Sequence, residues 1–162
     1  MKKYIHRSIL ILATITIGLL TGCGTSGPRY STVETSLKPE PGKGLVIIYA
    51  KSAFWGGGPN KWKIMTKGEL LTSKFKLGTF YAYQANPGFL PIWTIKNNPV
   101  MGVGDFNNYV PQNAKTIPVE PNQTYYLEFK FNMGSFTPLE SRCVSKEEGE
   151  REIKNCKWLN PW

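Results

Sequence analysis

Gly44-Leu45-Val46-Ile47-Ile48-Tyr49-Ala50-Lys51 decides the fold. The run is continuous in aliphatic and β-branched residues, has the length of one strand and carries no helical period. Downstream, residues 62–66 and 69–72 flank Lys67-Gly68, a tight turn between two short strands. Residues 74–77 lead to Gly78 and an aromatic strand over 79–85, where Phe80, Ala82 and Gln84 alternate with Thr79, Tyr81 and Tyr83. Asn86-Pro87-Gly88 is a turn signal, and 89–95 is the next strand, with Pro91 confining part of it to an edge or bulge. Residues 96–112 hold scattered Met101, Phe106 and Tyr109 without a period and read as a long inserted loop.

Residues 115–119 resume a strand, Glu120-Pro121-Asn122-Gln123 turns, and 124–131 is a second aromatic strand. Tyr125 and Tyr126 on it point one inward and one outward. Residues 147–154 allow one or two helical turns, weakened by Gly149. About seven short strands separated by turns predict an all-β fold, a small antiparallel β-sandwich with a short C-terminal helical turn.

Composition agrees. The chain has 162 residues, 41% hydrophobic and 19% charged, enough for one domain with a core. Aromatics reach 13%, with 16 Gly and 12 Pro, which favours strands and turns over long helices. His6 is the single histidine and is expected to leave with an N-terminal leader, and Asp105 is the single aspartate. Ser-His-Asp and Cys-His catalysis, histidine zinc sites and multi-aspartate metal clusters are therefore excluded, and no metal or cofactor is expected. Glu69, Asp105, Glu120 and Glu128 are the acids of the sandwich and form no paired motif of the glycosidase kind. Gly56-Gly57-Gly58 precedes no helix, so it is not a phosphate cradle.

The chain opens with a basic stretch carrying Lys2, Lys3 and Arg7, followed by 13 residues rich in Ile and Leu over 8–20. That run falls short of the ~20 residues of a membrane-spanning helix and fits the apolar part of an export signal. It ends Leu20-Thr21-Gly22-Cys23, which resembles the bacterial lipobox: an aliphatic residue, two small ones, then the cysteine that receives the lipid. Residues 1–22 are thus expected to be a lipoprotein signal peptide. By resemblance to lipoproteins, Cys23 would carry diacylglycerol and a further fatty acyl chain such as palmitate, which anchors without a transmembrane helix. Gly24 replaces the aspartate that retains enteric-type lipoproteins at the inner membrane, so the outer membrane is favoured, with the domain facing periplasm or surface.

Removing residues 1–22 lowers the formal charge from +9 to +6, that is 17 basic against 11 acidic residues. Lys61, Lys63, Lys67, Lys74 and Lys76 are the densest basic group. The group reads first as a solvated hairpin face; as a binding patch, an envelope address would offer it lipid head groups, lipopolysaccharide or peptidoglycan carboxylates, not nucleic acid. Residues 23–42, rich in Ser, Thr, Gly and Pro, read as a flexible tether, with the sandwich domain over 43–162. Cys143 and Cys156, with 12 residues between them, read as a disulfide in an oxidising compartment.

Gly42-Lys43-Gly44-Leu45-Val46-Ile47-Ile48-Tyr49, the Lys67-Gly68 hairpin and Gly78-Thr79-Phe80-Tyr81 leading to Asn86-Pro87-Gly88 follow one another in order. Pro121-Asn122 before Thr124-Tyr125-Tyr126, and Glu148-Gly149 with Glu152-Ile153, complete the series. Together they resemble the bacterial lipoproteins that carry domain of unknown function 2846. The resemblance implies an envelope lipoprotein whose β-sandwich is similar to transthyretin or to carbohydrate-binding modules. Lys67-Gly68 stands where Asp-Gly is usual in that family. The family supplies no catalytic residues.

The resulting expectation is a non-enzymatic, lipid-anchored interaction module that meets an envelope protein through its loops. The alternative is a glycan- or peptidoglycan-binding module that uses loop aromatics. Trp55, Asn60, Lys61 and Trp62 on one loop, and Phe106 and Tyr109 on the other, are the candidate contacts. Two solvent-facing indoles would favour sugar stacking, and buried ones would end that idea. Trp158, Leu159, Pro161 and Trp162 either fold back on the sandwich or reach a partner.

Overall fold

The decisive run forms β1 (Gly44–Ala50), buried at every position because both of its faces are covered. Val46, Ile48 and Ala50 point into one apolar cluster, and Leu45, Ile47 and Tyr49 into another. The computed structural model describes residues 27–51, 62–96, 110–112, 114–130 and 140–159.

After β1 come β2 (Trp62–Thr66), β3 (Glu69–Phe75), β4 (Thr79–Ala85), β5 (Gly88–Lys96), β6 (Lys115–Val119) and β7 (Thr124–Lys130). β8 (Glu140–Val144) and β9 (Lys157–Trp158) flank a helix, and neither was expected. One sheet has the order β8-β7-β1-β4-β9 and the other β3-β2-β5-β6. They enclose the main core of Ile64, Phe75, Ile92, Ile117, Leu127 and Phe129 with the inward residues of β1. The all-β sandwich with a short helix is the observed architecture.

The antiparallel expectation is corrected in the five-stranded sheet. β1 runs parallel to β7, with Ile47 beside Tyr126, and β4 runs parallel to β9. The chain leaves β1 for β2 and β3 of the second sheet and returns as β4, antiparallel to β1. It then adds β5 and β6 to the second sheet and re-enters the first as β7 on the other side of β1, in the same direction as β1.

The outer face of that sheet is covered by two chain ends. At the C-terminal end, α2 (Lys146–Ile153) is capped by Ser145, whose hydroxyl accepts from the Glu148 N–H at 3.2 Å. At the N-terminal end, α1 (Tyr30–Val33) runs into a 3₁₀ turn (Glu34–Ser36). Tyr30, Phe80, Tyr126, Ile153 and Cys156 join the outward residues of β1 in the second cluster. Tyr30 meets the Phe80 ring edge-on at 5.5 Å, and burying it contributes about 2 kcal/mol.

The tether over residues 23–42 is therefore corrected from Gly27 onward. The Trp158 N–H donates to the Pro28 carbonyl at 2.8 Å, and the Tyr30 N–H to the Cys156 carbonyl at 3.0 Å. A Cβ on Gly27 would lie 1.8 Å from the Trp158 carbonyl oxygen, so the two strands of backbone touch only because residue 27 is glycine. Composition suggested a loose coil; one buried tyrosine and a few backbone hydrogen bonds hold the segment instead. Residues 23–26 lie outside the described residues.

The disulfide is corrected too. Cys143 and Cys156 are both free thiols. Cys143 faces Leu127 across β8 and β7, on the inter-sheet side, whereas Cys156 lies in the cluster on the opposite face, its sulfur 3.6 Å from the Ala50 carbonyl. The intervening helix carries the chain from one edge of the sheet to the other, so closeness in sequence does not become closeness in space. Burial pushes the Cys156 thiol up to about 11.

The terminal aromatics fold back. Trp158 stacks on Phe80 with centroids 6.1 Å apart, and Leu159 enters the main core. Pro161 and Trp162 lie outside the described residues.

Candidate functional site

Of the six residues singled out as contacts, Trp62 is the one the structure describes, and it is not a contact. It points inward from β2 with Ile64 and is 7% exposed. The two-indole platform is thereby corrected: strand alternation sends Trp62 into the core. Trp55, Asn60, Lys61, Phe106 and Tyr109 lie outside the described residues. Among the described residues, the large apolar side chains that face solvent are Phe89 on β5, 83% exposed, and Val110, 42% exposed. Counting outward by two from the buried Ile92 would have shown Leu90 in and Phe89 out.

Among the expected acids, Glu69 accepts a hydrogen bond from the Tyr83 hydroxyl at 3.1 Å. Burial, with the Glu69 charge, pushes that hydroxyl up to about 12. Glu120 is exposed beside a turn. Glu128 is different: it is 2% exposed, on the outer face of β7. One of its carboxylate oxygens is 3.1 Å from Lys51 Nζ and the other 2.5 Å from Arg142 Nε. Arg142 is the cross-strand partner of Glu128, and its Nη2 reaches Glu148 of α2 at 2.6 Å. Lys51 also pairs with Glu152 of α2, which accepts from the Tyr49 hydroxyl at 2.6 Å.

Two cations thus hold three carboxylates, two of them from the helix. Both oxygens of Glu128 are engaged, which neutralises the buried charge and clamps α2 to the sheet. The missed signal was Arg142: without β8, nothing in the sequence places it opposite Glu128. A group of three or more His, Cys, Asp or Glu side chains arranged to hold a metal is absent among the described residues.

The clamp should be acid-labile. Burial alone would raise the Glu152 carboxyl, but the hydrogen bonds from Lys51 and Tyr49 outweigh it and hold the group below the usual carboxylate range. A carboxyl lowered in the folded state stabilises above the unfolded value of about 4.3 and loses that contribution as pH falls through the folded one. The urea midpoint is expected to stay level between about pH 7 and 5 and to fall below about pH 4. In Glu152→Gln the acid limb should be shallower; an identical limb would contradict the assignment.

Beside the clamp lies a cleft of about 670 Å³ between the 3₁₀ segment, the turn before β7 and α2. At its floor the Tyr30 and Tyr126 hydroxyls are 3.2 Å apart, and Tyr126 donates to Glu150 at 3.3 Å. Lys38, Asn122, Gln123 and Lys146 add amide and ammonium groups to the walls. Burial raises both phenols, so they remain neutral hydrogen-bonding groups. The cleft needs α2 close to β7, and Gly149 provides that approach. A Cβ there would sit 2.4 Å from the Tyr126 ring. Gly149→Ala is expected to cost about 2 kcal/mol, read from urea unfolding; an unchanged midpoint would contradict this packing.

No family model, curated protein or solved structure matches this chain. The resemblance to the lipoproteins with domain of unknown function 2846 rests on the residues quoted for it.

Proposed function

We propose that this chain is a lipid-anchored protein of the bacterial cell envelope, exported by residues 1–22, acylated on Cys23, and acting as a non-enzymatic interaction module. The observation that carries the reading is the run from the basic leader to Leu20-Thr21-Gly22-Cys23. A second support is that Glu128, the buried acid of the sandwich, has both oxygens on cations, an arrangement suited to a scaffold. Gly24 favours the outer membrane, and the sandwich would meet an envelope protein there through its loops and the exposed Phe89.

The test is metabolic labelling with an alkyne analogue of palmitate. Label is expected on the native protein and absent from Cys23→Ser. An unlabelled native protein, or a labelled serine variant, would overturn the proposal. Glycan or peptidoglycan binding is the second reading, and the cleft now favours it over the loop aromatics. Its phenols, amides and Lys38 suit the hydroxyl groups of a sugar. Retention on peptidoglycan that Tyr126→Phe weakens would support it; retention unaffected by that change would count against it.

A further inference from the structure

Residues 27–39 lie on the outer face of the five-stranded sheet without contributing a strand to it. Tyr30 is the one buried residue between Gly27 and Lys43, whereas all seven residues of β1 are buried. α1 has four residues and no side-chain cap, too few to hold a helix together in water. What fastens the segment is therefore its contact with the sheet. At its start, Pro28 accepts from the Trp158 N–H and the Tyr30 N–H donates to the Cys156 carbonyl. At its end, the side-chain amide of Gln84 on β4 donates to the Lys38 carbonyl at 2.9 Å and accepts from the Glu40 N–H at 3.0 Å.

The chain becomes part of the sandwich at Lys43, whose carbonyl accepts from the Asn122 N–H at 2.7 Å. Between segment and sandwich lies the exposed stretch Glu40-Pro41-Gly42, closed locally by the Lys43 N–H on the Glu40 carbonyl at 2.9 Å. The segment before it can lift without breaking a ladder of β1. It supplies one wall of the cleft, with Tyr30, Glu34 and Lys38, and the body supplies the other, with Gln123, Tyr126 and Glu150. The Tyr30 and Tyr126 hydroxyls, 3.2 Å apart, meet where the two walls join. Lifting the segment leaves an open sheet face and no cleft. The clamp on Lys51, Glu128 and Arg142 has no member in the segment, so α2 stays in place.

We infer that residues 27–39 are a strap that opens and closes as one unit over an intact sandwich, and so makes and unmakes the cleft. A ligand that touches both walls holds the strap closed, and by linkage an open strap weakens the binding of that ligand. For this ligand control the strap rests on the reading of the cleft as a glycan site, which retention on peptidoglycan tests separately. The motion of the strap is tested with no ligand present.

The test is amide hydrogen exchange of the native protein in detergent micelles, read residue by residue by NMR in urea below the unfolding midpoint. The Tyr30 and Trp158 amides, one on the strap and one bonded to it, are expected to share one protection factor. It should be about 100-fold lower than that of the β1 amides and depend little on urea. The Lys157 and Leu159 N–H groups, bonded to the Gly78 and Phe80 carbonyls, should stay protected on either side of Trp158. Gln84→Ala should speed exchange at Tyr30 and Trp158 about five-fold and leave β1 unchanged, although Gln84 shares no hydrogen bond with either. Tyr30 protected as strongly as β1, Trp158 opening together with its two neighbours, or Tyr30 and Trp158 unmoved by Gln84→Ala would each overturn the strap.

Discussion

Glu128→Ala is expected to lower the unfolding free energy by about 3 kcal/mol, the lower end of the cost of breaking a buried ion pair. The lower end applies because the two cations left behind are partly in water. The Lys51 side chain is 43% exposed and that of Arg142 38%, against 2% for Glu128. Each also keeps a second carboxylate, Glu152 for Lys51 and Glu148 for Arg142. What is lost is the common anchor that ties β7, β8, the residue after β1 and α2 together. Arg142→Ala should cost less, since Lys51 still neutralises Glu128. Urea unfolding of the two variants checks the order; Arg142→Ala costing more than Glu128→Ala would contradict the clamp.

Removing residues 158–162 is expected to cost about 4 kcal/mol and roughly 10 °C in Tm. Trp158 covers Phe80, and Leu159 fills the main core, 9% exposed. The same cut removes the N–H that holds Pro28. The N-terminal segment should therefore loosen together with the C-terminal one, and amide exchange at Tyr30 should rise with the loss of Tm. A melting curve that does not move would mean that these residues point away from the domain.

How much of this was legible depended on whether a residue's partners were local. β1 and β4 were readable because their own side chains declare a strand, and Lys67-Gly68 and Asn86-Pro87-Gly88 mark their turns without help from elsewhere. Tyr125 and Tyr126 do split between the two clusters, as alternation requires. β9 has two residues and exists because Phe80 and Gly78 offer it a ladder. β8 begins with the polar Glu140, Ser141 and Arg142, and Arg142 finds its partner in Glu128 on the neighbouring strand while Val144 packs on the second cluster. α2 begins at Lys146, one residue before the expected 147, because the Ser145 hydroxyl caps the Glu148 N–H. The packed segment at residues 27–37 was hidden because its composition is that of a linker, and one tyrosine decides otherwise. The cleft needs the 3₁₀ segment, the turn before β7 and α2 at once, so no local pattern announces it.

The clamp and the docked N-terminal segment make one arrangement: the segment that begins at Gly27 is fastened to the strand that follows the clamped helix. The most direct measurement is the mass of the N-terminal peptide of the protein isolated from its own cells. The account predicts a peptide that begins at residue 23 with acyl chains on its cysteine. A peptide that begins elsewhere, or one with an unmodified thiol at Cys23, would contradict it.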